Sequence, residues 1–437
     1  MSATRSDPVP PWPMLEGRLS LLKENLERAR DFSQTRIDLR GVDVENEVWN
    51  ATFYDVRRIS MSELDNIRGL ENQLKARELA PRPAWENYAE IQRRSERAFR
   101  ECLVLLSGLT LRDRIPDEWV CFYADELIRI CSKAMPDVKP RLVVPLFETV
   151  LTPARHPTHI RFPEWDIWTL PLVAHELGLA STGNSALTQF VQEALERWNE
   201  DHPESGHAGQ DAMIARMHVL LADAFGTYAL GPAYACALVL LRLDPVPSRQ
   251  DSWQLARQRA LMVRQMLKVM DDGTGLFDHV EETLALDWSG IYGEPPQGMD
   301  DGPEPLPLDP VKLKSAFDSV FQANMAYTPK NWETARTWGD QWLADLGNML
   351  LGGARLPDGV IARDKLRDAL NAAWHARITD PSTVDEVSTA TRALCGKIME
   401  EQSKSMKKGK NDSASRSKPR KNGRGIAKDR AGKGEYG

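Results

Sequence analysis

Cysteine is scarce in this 437-residue chain and never paired by spacing. The five residues are Cys102, Cys121, Cys131, Cys236 and Cys395, and no two form C-x-x-C. An odd set without that spacing argues against a disulfide framework and fits free thiols in a reducing compartment, the cytoplasm. The opening stretch Met1–Pro13 is polar and proline-rich, without the apolar core of a signal peptide. Long apolar runs are nearly absent. Only Ala224–Leu241 goes 18 residues without a charge, and Gly226, Gly231 and Pro232 interrupt it. Its flanks, Asp223 and Arg242, lack the clustered Lys and Arg that orient a span. It therefore reads as a buried core helix, with no membrane partner. The chain also lacks a G-x-S-x-G nucleophile elbow. Asp272-Gly273-Thr274-Gly275 lacks the lysine of a phosphate loop. No strand–glycine–helix unit suggests a dinucleotide site.

What is present is a folded composition, 42% hydrophobic and 27% charged, in a chain long enough for two or three packed units. The charge is unevenly divided. Lys404–Gly437 holds 12 basic and 3 acidic residues, net +9, so the remainder carries −16 of the total −7. The tail could contact nucleic acid or an acidic partner through Lys407, Lys408, Lys410, Arg416, Lys418, Arg420, Lys421 and Arg424, by releasing counterions. Its one aromatic, Tyr436, gives no support for base stacking.

The apolar spacing predicts a mainly α-helical, multi-helix protein with a minor β-sheet. Leu15, Leu19, Leu22 and Leu26 form one stripe over 15–32. Helices follow over 60–79, with Ser62 and Asp65 resembling a capping-box start, and over 83–109 and 118–135. Residues 1–13 read as a disordered N-terminus and 14–139 as an N-terminal helical region. The texture changes at Pro140, and short extended pieces are expected at Leu142-Val143-Val144 and His159–Pro163. Helices over 185–201, 211–243 and 252–270 complete a core region, 140–290. Residues 291–310, rich in Pro, Gly and acid, read as a linker. Helices near 311–325, 331–351, 363–377 and 384–402 make a C-terminal region, 311–402. The tail, 403–437, reads as disordered.

One helix carries chemistry. Glu164 and Asp166 precede it, Pro171 suits its first turn, and Thr182-Gly183-Asn184 should end it. It contains His175-Glu176-Leu177-Gly178-Leu179. In H-E-x-x-H, residues i and i+4 point the same way, and the glutamate acts as base toward a zinc-bound water. Here the second histidine position is Leu179.

The stretch Leu172-Val173-Ala174-His175-Glu176-Leu177-Gly178 resembles the first motif of gluzincin-type zinc metallopeptidases. In that family a third ligand comes from a later helix, in a pattern like E-x-x-A-D. The present sequence reads Val219-Leu220-Leu221-Ala222-Asp223, matching the Ala-Asp and replacing the ligand by Val219. The resemblance spans roughly residues 142–270 and implies a zincin-like central region whose ligands are degenerate. Glu176 would be a vestigial base. Two aliphatic replacements suggest a former metal cavity now filled and dry. One histidine is not a zinc site, so no cofactor is expected and the protein would act by binding a protein partner. An active peptidase with relocated ligands would instead bind zinc through His175 with His218 or Asp223. Of these, Asp223 shares the face of Val219, though in the family it orients a ligand. The third reading is a helical interaction protein unrelated to proteases.

Other histidines are weaker candidates. His156 and His159 lie in a proline-flanked loop, and His202 and His207 in a polar one. Trp332, Trp338, Trp342 and Trp374 read as helix–helix core, with an exposed partner surface as the alternative.

Overall fold

The computed structural model describes residues 12–34, 46–114, 119–133, 135, 142–146, 159–161, 166–204, 206–243, 250–292, 306–322, 324–344 and 365–398. The N-terminus before Trp12, most of the linker and the whole basic tail lie outside them, as do His156 and residues 345–351 of the helix expected over 331–351.

The described chain is mainly helical. The first four helices are α1 (Trp12–Gln34), α2 (Asn46–Thr52), α3 (Tyr54–Lys75) and α4 (Pro81–Arg114). The α1 stripe of Leu15, Leu19, Leu22 and Leu26 is buried against Leu64, Ile67 and Leu70 of α3 and Ala84, Tyr88 and Ile91 of α4. Ser62 is an exposed mid-helix residue rather than a cap, because α3 already begins at Tyr54. A second cluster, around Trp49, Phe53 and Leu105, takes in Leu142. Beside it Thr52 Oγ1 accepts from the Leu142 amide, and Arg112 donates to the Val143 carbonyl and to Asp125.

Two three-residue strands follow helix α5 (Trp119–Ser132). They are β1 (Val144–Leu146) and β2 (His159–Arg161), paired in parallel with Val144 opposite His159. A 3-10 turn at Leu170–Leu172 carries Pro171 and leads into α6 (Val173–Ser181). Helix α7 (Ser185–Asp201) starts at the sequence-predicted stop, where Asn184 Oδ1 accepts from the Ala186 amide.

Helix α8 (Gly206–Leu230) packs against α6, α7, α9, α10 and α12. Every residue from Leu220 to Leu230 is buried, Asp223 among them. The predicted single helix over 211–243 is, however, broken. Gly231 takes φ +63°, a value open to glycine, and a Cβ there would meet the Tyr327 ring at 2.3 Å. Pro232 then opens α9 (Pro232–Ala237), and Leu238–Arg242 continues as a π-helical turn. Among the described residues, no helix is long and apolar enough to cross a membrane.

The chain continues through α10 (Gln250–Asp271), α11 (Asp278–Tyr292), α12 (Pro310–Val320), α13 (Pro329–Ala344), α14 (Lys365–Thr379) and a last helix, α15, over 384–398. One core joins α5 through α15, so the segments on either side of 293–305 share it, with Leu308, Phe317, Trp374 and Leu394 packed among the same residues as Leu220 and Met266. Helix α14 also seals the Gly231 break. Asn371 donates to the Leu230 carbonyl and accepts from the Ala233 amide, while Arg367 donates to the Ala229 and Met325 carbonyls. The groups freed by the interruption are thereby satisfied inside the protein. Trp332, Trp338, Trp342 and Trp374 are all buried. They form helix–helix core, not an exposed aromatic surface.

Candidate functional site

The predicted zinc helix packs directly on α8, and small residues permit it. A Cβ on Gly178 would lie 2.6 Å from the Ala222 Cα and 2.8 Å from its carbonyl oxygen. The closeness of the two backbones sets His175 beside Asp223. Imidazole Nδ1 and carboxylate Oδ1 are 2.9 Å apart, both side chains buried.

Two residues not singled out in the sequence complete the cluster. Tyr234, on α9, donates its hydroxyl to Asp223 Oδ1 at 2.7 Å and lies 3.3 Å from His175 Nδ1. A Cβ at Gly226 would collide with the Tyr234 ring at 2.5 Å, so the bare backbone there admits the phenol. Arg259, on α10, forks onto Asp223, with Nε 2.6 Å from Oδ2 and a terminal nitrogen 2.9 Å from Oδ1. Four elements (α6, α8, α9 and α10) thus converge on one carboxylate.

The electrostatics follow from this packing. Burial pushes the Asp223 carboxyl up, but Arg259 and His175 outweigh it and hold it well below the usual carboxylate range. Burial lowers the His175 pKa, opposed by Asp223 and reinforced by Arg259 and Arg242. Burial and Asp223 push the Tyr234 phenol far up, so it stays a donor. For Arg259 burial opposes the charge and Asp223 restores it, raising its pKa overall. At neutral pH the site is one carboxylate, one guanidinium, a neutral imidazole and a phenol. An ionised carboxylate only accepts, so His175 carries its proton on Nδ1 and donates it to Asp223. Its Nε2 keeps a lone pair and makes no hydrogen bond among the described residues.

The structure treats the other sequence-predicted residues differently. Glu176, Leu179 and Val219 are each half-buried. Leu179 and Val219 therefore lie at the margin of the buried cluster, less deeply than His175 and Asp223. The buried part of the cluster is the polar part. His218 is half-buried and its pKa is lowered by burial. The bonds from Arg259, Tyr234 and His175 already engage both Asp223 oxygens, so binding a metal through Asp223 would require dismantling the cluster. Among the described residues, no group of three or more His, Cys, Asp or Glu is arranged to hold a metal ion. The eight basic residues of the tail, Lys407 to Arg424, fall outside the described residues.

Tyr234 had no local signal, since it sits inside the uncharged run. Arg259 did have one. It lies three residues after Ala256 and four before Val263, on a stripe whose other members, through Met266 and Met270, are buried. A charge on the apolar face of an amphipathic helix demands a buried partner.

No protein-family model matches the chain, and no curated protein or solved structure shows significant similarity to it.

Proposed function

We propose that residues 142–270 keep the frame of a gluzincin-type zinc peptidase without a competent metal site, and that the protein acts by binding a partner. The observation that carries this reading is the pairing of His175 Nδ1 with Asp223, four residues after Val219. A carboxylate on one ring nitrogen is how proteins orient a metal-ligating histidine, fixing the tautomer and aiming the other nitrogen at the ion. Here that outer pair stands while Leu179 and Val219, at the positions of two further ligands, are aliphatic. One imidazole cannot hold catalytic zinc, which needs three protein ligands. Without the metal a water keeps its pKa near 15.7, and Glu176 has nothing to activate. Five buried free cysteines fit a reducing cytoplasmic setting.

A second reading is favoured by the saturation of Asp223. A carboxylate held by arginine, tyrosine and histidine is a sufficient structural reason for His175, with no zinc-binding past. On that reading the chain is a helical interaction protein.

Metal analysis of protein purified without chelator separates loss of zinc from relocation of its ligands. The proposal expects well under a tenth of an equivalent of zinc. Stoichiometric zinc that disappears in His175→Ala would establish the rewired peptidase instead.

A further inference from the structure

We draw no further inference here: the strongest candidate, the apolar groove of about 490 Å³ between α1 and α4 lined by Ala29, Phe32, Phe99, Leu103 and Leu106, is an unpartnered face, and nothing in the structure shows what covers it.

Discussion

Replacing Arg259 by methionine isolates the force that holds the candidate site together. Asp223 has no exposed side-chain surface and Arg259 only 14%. Methionine keeps much of the apolar stem but leaves the carboxylate with Tyr234 and a neutral histidine. Removing one member of a buried ion pair costs about 3–5 kcal/mol, because the remaining charge is stranded. The substitution should also change the pH response. Without the guanidinium one cause of the lowered His175 pKa is gone, so that pKa rises toward its unfolded value. The stability that wild type loses through His175 as pH falls below about 6.5 is then lost to a smaller extent in the variant. The deficit against wild type should therefore be smaller at pH 5.5 than at pH 8. Urea unfolding of both proteins at the two pH values measures this, provided the slopes agree. The double variant Asp223→Asn/Arg259→Met should lose less than the two single losses added together, since each charge is stranded only when the other remains. A deficit below about 1 kcal/mol that does not vary with pH would refute the description of Asp223 as a buried ionised hub.

Further outcomes follow from the same geometry. Gly178→Ala inserts a methyl into the Ala222 backbone and should cost about 1–3 kcal/mol or more. Gly183→Ala, whose Cβ would meet only the Ala180 carbonyl at 3.8 Å, should stay near wild type; equal urea midpoints for the two variants would contradict the close helix approach. Burial lowers the pKa of His175, His218 and His375 in the folded state. As pH falls through about 6.5 the unfolded chain takes up protons that the folded one refuses, so stability should decline below that point and level off above it. A urea midpoint that is flat or rising from pH 8 to 5.5 would overturn this assignment. Trp374 is fully buried, donates to the Trp168 carbonyl and packs edge-on against that ring. Trp374→Ala should cost about 3–5 kcal/mol and loosen α5–α11 along with the C-terminal helices. Hydrogen exchange confined to 365–398 would argue instead for a separate C-terminal unit.

The helices were legible wherever burial is one-sided. The α1 stripe and the span of α7 are legible from apolar spacing and from the Thr182-Gly183-Asn184 stop before α7, because period and helix stops are local signals. Periodicity failed where burial is all-round. Across Ala224–Leu241 no position is charged, so periodicity does not place the break; Gly231-Pro232 is its one local sign, and the residues that hold it, Tyr327 and Asn371, lie 96 and 140 positions further on. The His175–Asp223 neighbourhood has no local signal, since 48 positions separate the two residues. Tyr234 and Arg259 join it through tertiary packing, 59 and 84 positions beyond His175 in the chain. The depth of Leu179 and Val219 is not legible in the sequence, because an aliphatic side chain says what a site cannot bind, not how deep it lies.

On the proposed reading, the His175–Asp223 pair is an outer pair that orients a metal ligand, and Leu179 and Val219 stand where the remaining ligands would be. Zinc titration of Leu179→His/Val219→Glu beside wild type, by competition with a chromophoric chelator, tests this most directly. The account predicts one zinc per chain for the double variant and none for wild type. It also predicts affinity lost with His175→Ala and weakened about 10–100-fold with Asp223→Asn in the same background. A double variant with wild-type circular dichroism that binds no zinc would contradict it.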